Sequence, residues 1–141
     1  MYISRKKLRV LAPEYPSYGI YREVPSSSEQ ILSDSEKIYS YLTKVLGYLE
    51  KNIILVGRSI GTGPATHLAA KKSPGALILL SAFTSIQAVI GNFAGFLKLL
   101  VKERFDNLEN FSKVTCPTLL IHGIRDKLIS FEHSLKLHGI L

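Results

Sequence analysis

Ser59 is the residue whose neighbours are best suited to chemistry. It lies between Gly57 and Gly61 in the stretch NIILVGRSIGTGP, residues 52–64. An apolar run, 52–56, leads into the turn, and Ala65, Leu68, Ala69 and Ala70 open a helical pattern after it. Strand, sharp turn and helix with G-x-S-x-G at the tip is the nucleophile elbow. A serine that projects Oγ from the end of a strand must take positive φ, a strained conformation for a residue with a Cβ. Strand and helix then approach so closely that side chains at 57 and 61 are expected to collide, which two glycines avoid. The helix aims its free N–H groups back at the serine. The backbone N–H of Ile60 would donate to a substrate oxygen on which negative charge develops.

The elements around this turn follow from hydrophobic pattern and turn chemistry. Residues 8–12 are a short apolar run with Arg9 inside it, ending at Pro13, and predict a strand. The segment EYPSYGIYREVPSSSE is a loop by its Tyr, Pro, Ser and Gly content. Ser26 and Glu29 have capping-box spacing, so a helix should start near Ser27. Ile31, Ile38, Leu42, Val45, Leu46 and Leu49 continue it at helical spacing, with Gly47 as a stop. The elbow helix should run to about Lys72. A third strand is predicted over residues 76–80 (ALILL) and a fourth over 118–121 (TLLI), the latter ending at His122 and Gly123. Between them, 86–104 reads as helical with breaks at Gly91 and Gly95, and 105–113 as polar connection. A last helix is expected over 130–137.

Short, wholly apolar strands alternating with helices predict an α/β fold, a parallel sheet of about four strands covered on both faces. Active groups in such sheets lie at the carboxyl ends of the strands. Ser59 follows one strand and Asp126 follows another, so both should fall on one edge. At 141 residues the chain is at most one domain. Its 46% hydrophobic and 21% charged content is that of a globular protein and excludes a disordered one. The net charge of +7 comes from scattered residues (Arg5, Lys6, Lys7 and Arg9; Lys71 and Lys72; Lys98, Lys102 and Arg104). That scatter predicts a solvated surface with at most weak attraction to an anionic membrane, and no nucleic-acid partner. Cys116 is the single cysteine, which excludes an internal disulfide and a cysteine-metal cluster. Beside Pro117 it reads as a small buried residue. No cofactor or metal is expected. Neither a signal peptide nor a membrane-spanning run is visible, so a cytoplasmic location, with some contact at the membrane surface, is expected.

The succession YPSYG, LVGRSIGTGPA, ILLSAFTSI, RFDN and VTCPTLLIHGIRDKLI resembles the α/β-hydrolase superfamily. Within it the chain is similar to the α/β-hydrolase domain-containing proteins that include protein depalmitoylases, over roughly residues 8–137. The resemblance implies that Ser59 is the nucleophile and Asp126 the triad acid, in the chain order Ser then Asp. It implies hydrolysis of an ester or thioester of an acylated protein or small substrate, through an acyl-enzyme on Ser59. The acid would orient a histidine and stabilise its protonated form.

That histidine is not found where the resemblance requires it. His67 lies within the elbow helix, His122 at a strand end, His133 at the start of the last helix and His138 near the C-terminus. All four read as flanking or structural. The oxyanion loop that the family carries before the YPSYG segment is also absent. The expectation is therefore a partial α/β-hydrolase domain, truncated at both ends, lacking the first strands and the last, and weak or inactive as it stands. Losing a triad histidine costs roughly 10⁶ in turnover. The strands at 52–56, 76–80 and 118–121 should pair in that order, with 8–12 separated by a gap or shifted. Tyr15 and Tyr18 are expected to pack rather than line a pocket, and Arg58 to face solvent or pair with an acid. The apolar 86–101 segment could serve as lid, acyl groove or plain core helix.

Two other readings compete. One is a non-catalytic binding protein that keeps the hydrolase fold. The other is a nucleotide-binding domain, since Gly57, Gly61 and Gly63 fit G-x-x-x-G-x-G. That motif should open the chain and be followed by Tyr-x-x-x-Lys, whereas the only such pair here, Tyr2 and Lys6, precedes it.

Overall fold

The computed structural model describes residues 8–89 and 105–140. Seven elements organise them in chain order: α1 (Ser28–Ser40), β1 (Ile54–Arg58), α2 (Thr62–Lys71), β2 (Ala76–Leu80), α3 (Asn107–Phe111), β3 (Thr118–Ile121) and α4 (Glu132–His138). The strands form a parallel sheet in the order β1-β2-β3, as the sequence predicted. Register places Val56, Ile78 and Leu119 in one row across the sheet, and Gly57, Leu79 and Leu120 in the next. Side chains alternate between faces along a strand, so the two rows point to opposite sides.

The strand predicted over residues 8–12 is not there. Residues 8–12 are exposed and outside the sheet. A strand gains its stability from a paired neighbour, and this run has none among the described residues. Arg9 instead reaches Tyr48, with its guanidinium 5.8 Å from the ring centroid and a hydrogen bond to the hydroxyl.

Coverage of both faces is also corrected. Leu55, Leu77, Leu79 and Leu120 pack with Ala65 and Ala69 of α2, Phe111 of α3 and Leu137 of α4 in one core. The opposite face keeps Ile54, Val56, Leu119 and Ile121 exposed. The strand order gives the reason. β1, β2 and β3 advance in one direction, so right-handed crossovers between them all fall on the same side.

Local boundaries shift for identifiable reasons. Ser27, not Ser26, caps α1, its side chain accepting from the Gln30 N–H at 3.0 Å. After Ser40 the helix widens into a π turn, Tyr41–Val45, and Gly47 follows at φ +70°. The predicted apolar stripe therefore ends early: Ile31 and Tyr39 are buried, while Val45, Leu46 and Leu49 are exposed. A 3₁₀ turn, Glu50–Asn52, delays β1 by two residues. The polar connection at 105–113 contains α3, because Asp106 caps it through the Glu109 N–H at 2.9 Å. Cys116 is partly buried against the core. The expected helix over 86–104 is helical from 86 to 89, and the rest, including Lys98, Lys102 and Arg104, lies outside the described residues.

Glu36 joins α1 to α2. Its Oε1 accepts from Lys71 Nζ at 2.8 Å and lies 2.6 Å from His67 Nε2. Lys71, then His67, hold the carboxyl down at about 2. A depressed folded pKa contributes stability in full above the unfolded value, near 4.5, and loses it as pH falls toward 2. Glu36 is partly exposed, so solvent screening limits the contribution to about 1 kcal/mol. Glu36→Gln is expected to lower the unfolding free energy by that amount at pH 7. The gap to wild type should close between pH 4.5 and 2 in a urea titration series.

Candidate active site

β1 ends at Arg58, and Ser59 follows with φ +50° in a 3₁₀ turn, Ser59–Gly61, that runs straight into α2. The positive φ expected of an elbow serine is present. The two glycines serve different ends, which corrects the symmetrical expectation. A Cβ on Gly57 would stand 2.5 Å from the Gly61 carbonyl oxygen and 2.8 Å from Thr62 Cα, both backbone atoms. A Cβ on Gly61 would meet only the Tyr15 hydroxyl, at 3.3 Å. Gly63 is explained by packing. A side chain there would enter the Phe105 ring, 2.5 Å from Cγ. This leaves the nucleotide-binding spacing without a role for its third glycine.

A buried hydrogen-bond chain holds the turn. Thr62 Oγ1 donates to the Ser59 carbonyl at 2.7 Å. Asn107 Nδ2 donates to Thr62 Oγ1 at 3.3 Å and to the Phe83 carbonyl at 2.9 Å. Thr62 and Asn107 are both fully buried. Sequence reading missed this pair, although an asparagine two residues into a segment with a good N-cap is a signal that could have been followed. Ile60 lies in the first turn, where helical N–H groups lack intrahelical partners.

Asp126 stands beyond β3 on the same edge of the sheet as Ser59. Its Oδ1 accepts from the Leu128 N–H at 2.9 Å and the Ile129 N–H at 3.0 Å, and its Oδ2 from Ser81 Oγ at 3.1 Å. The Ile129 and Leu128 amides, with help from Ser81, pull the carboxyl below its ordinary value. Ser81 was also missed. It follows β2 at φ +47°, so the carboxyl ends of three successive strands carry Ser59, Ser81 and, after a short loop, Asp126.

The histidines are engaged elsewhere. His67 meets Glu36. The His122 side chain is almost wholly buried; Nε2 donates to the Ile129 carbonyl at 2.9 Å, which leaves Nδ1 to accept from Ser134 Oγ at 2.6 Å. Its Nε2 is 3.7 Å from Asp126 Oδ2. His133 Nδ1 accepts from Thr84 Oγ1 at 3.0 Å, and burial pushes its pKa down. His138 ends α4, exposed. Among the described residues, no hydrogen bond joins a histidine to Ser59. Tyr15 is half-buried beside the cluster of Ile31, Phe83, Phe105 and Ile129, whereas Tyr18 and Arg58 are exposed.

The solved acylaminoacyl peptidase of Pyrococcus horikoshii superposes on 80% of this chain, and on 21% of its own, with a TM-score of 0.61 at 18% identity. The sequence is 34% identical over 134 residues to the human alpha/beta hydrolase domain-containing protein 17B. In sequence and in fold the chain is similar to the α/β-hydrolases. Mouse alpha/beta hydrolase domain-containing protein 17C is similar at 33% over 135 residues. These alignments take in 95% and 96% of this chain but 46% and 41% of the relatives, so the chain spans under half the length of the α/β-hydrolases it matches. No family model matches it. Among the described residues, no helix is long and apolar enough to cross a membrane.

Proposed function

We propose that this chain carries the nucleophile and the acid of a serine ester or thioester hydrolase. The observation that carries the reading is Ser59 at positive φ on the turn between β1 and α2. Ser59 Oγ attacks the acyl carbonyl carbon, its proton passing to a base. The Ile60 N–H donates to the oxygen that becomes negative. Collapse expels the thiolate or alkoxide, protonated as it leaves, and water then frees the acid from the acyl-enzyme. Asp126, held by three donors, is the group that would orient the base. Acylated proteins, in a depalmitoylation-like reaction, and small esters are the substrate class. The net charge of +7 favours weak attraction to the anionic membrane surface where acylated proteins reside. A non-catalytic hydrolase-like binding protein is the second reading, favoured by the engagement of His67, His122 and His133 away from Ser59.

Among the described residues no base touches Ser59, and one can be supplied from solution. Adding imidazole should raise the 4-nitrophenyl butyrate hydrolysis rate of the wild type by about 10-fold or more over that of Ser59→Ala, less than the roughly 10²–10⁴-fold that a positioned general base supplies. Equal rates for the two proteins at every imidazole concentration would favour the binding reading.

A further inference from the structure

We infer that Ser81 is a positioning residue, whose hydroxyl holds the one oxygen of Asp126 that is left able to accept a hydrogen bond from the base. The inference rests on the proposed reaction for the role of that carboxyl. An ionised carboxylate has about four lone-pair positions and no donor. At Asp126 three are taken among the described residues. Oδ1 accepts from the Leu128 and Ile129 amides, and Oδ2 from Ser81 Oγ at 3.1 Å. The position that remains is on Oδ2. His122 does not fill it, since its Nε2 is 3.7 Å away and donates to the Ile129 carbonyl. Two bonds on Oδ1 leave the carboxyl plane free to turn about that oxygen. A donor on Oδ2 fixes the plane, and with it the direction of the remaining lone pair.

The backbone holds Ser81 where this requires it. Register pairs Leu80 with Arg58 on one side and with Ile121 on the other. Ser81 therefore comes one residue beyond the central strand, between Ser59 and the loop that carries Asp126. Its N–H donates to the Ile121 carbonyl at 2.9 Å, and the Asp126 N–H donates to the Gly123 carbonyl at 3.0 Å. Ala82 and Phe83, which follow Ser81, are buried. The φ of Ser81 is +47°, a conformation that glycine takes without steric cost and a residue with a Cβ takes under strain. The turn alone favours glycine, so it is the bond to Asp126 that gives the side chain its use. Ser81 and Asp126 are both partly buried, which limits competition from water.

Ser81→Gly removes the hydroxyl at a φ that suits glycine, so the turn should keep its shape and the melting temperature should change little. Two readouts are expected to move. A carbon-13 NMR titration should show Asp126 binding its proton about 10-fold more tightly than in the wild type. In the imidazole-stimulated, Ser59-dependent hydrolysis of 4-nitrophenyl butyrate, the half-saturating imidazole concentration should rise about 5-fold. A proton affinity that does not move overturns the proposal. So does one that moves while the half-saturating concentration stays the same, because the bond is then structural only. A wild type with no Ser59-dependent hydrolysis at any imidazole concentration overturns the reaction itself, a failure seen before any Ser81 variant is compared. If Ser81→Gly does not fold, side-chain couplings of the wild type decide. A single χ1 rotamer is expected at both Ser81 and Asp126, and averaging at either one overturns the proposal.

Discussion

Gly57→Ala is expected to destabilise the chain by about 3 kcal/mol, near the upper end of overpacking costs, and to lower its melting temperature by roughly 10 °C. The added methyl would stand 2.5 Å from the Gly61 carbonyl oxygen and 2.8 Å from its carbon and from Thr62 Cα. None of these is the free end of a side chain that could swing aside. Relief requires that β1 and α2 separate, and their packing is what sets Ser59 at φ +50°. Gly61→Ala is the internal comparison. Its φ of −64° is open to any residue, and its methyl would press only on Tyr15, which can give way. That variant should cost less than about 1 kcal/mol. Urea unfolding of the two proteins measures the difference. Equal losses would mean that the elbow does not depend on close approach at Gly57.

Asn107→Ala is expected to cost about 2–3 kcal/mol, through two lost hydrogen bonds and a cavity in a fully buried site. It removes the donor to Thr62 Oγ1 and the donor to the Phe83 carbonyl. The loss should also be felt at the serine, since Thr62 in turn holds the Ser59 carbonyl. Hydrogen exchange at the amides of residues 59–62 should quicken more than exchange across β2. Uniform acceleration would assign Asn107 to general stability and not to the elbow.

What the sequence made legible was the part governed by local rules. The apolar runs at Ala76–Leu80 and Thr118–Ile121 are the strands β2 and β3, and G-x-S-x-G marked the turn with a positive-φ serine. The resemblance to the α/β-hydrolases rested on motif order along the chain, and topology follows that order. Three features were not legible, because they depend on what lies across space. An apolar strand reads the same whether one face or two are covered, so the exposure of Val56 and Ile121 was invisible. Residues 8–12 looked like a strand, yet no partner strand lies beside them among the described residues. Ser81 and Asn107 reach Asp126 and Thr62 across 45 residues of chain each, a distance that spacing rules do not span.

In the proposed reaction Ser59 is the nucleophile on a prepared turn, with no base in contact with it among the described residues. Labelling the folded chain with a fluorophosphonate and mapping the adduct by peptide mass spectrometry tests it most directly. A single adduct on Ser59 is expected, absent from Ser59→Ala, forming slowly and faster in added imidazole. A folded chain that takes up no label, or takes it up at another residue, would contradict it.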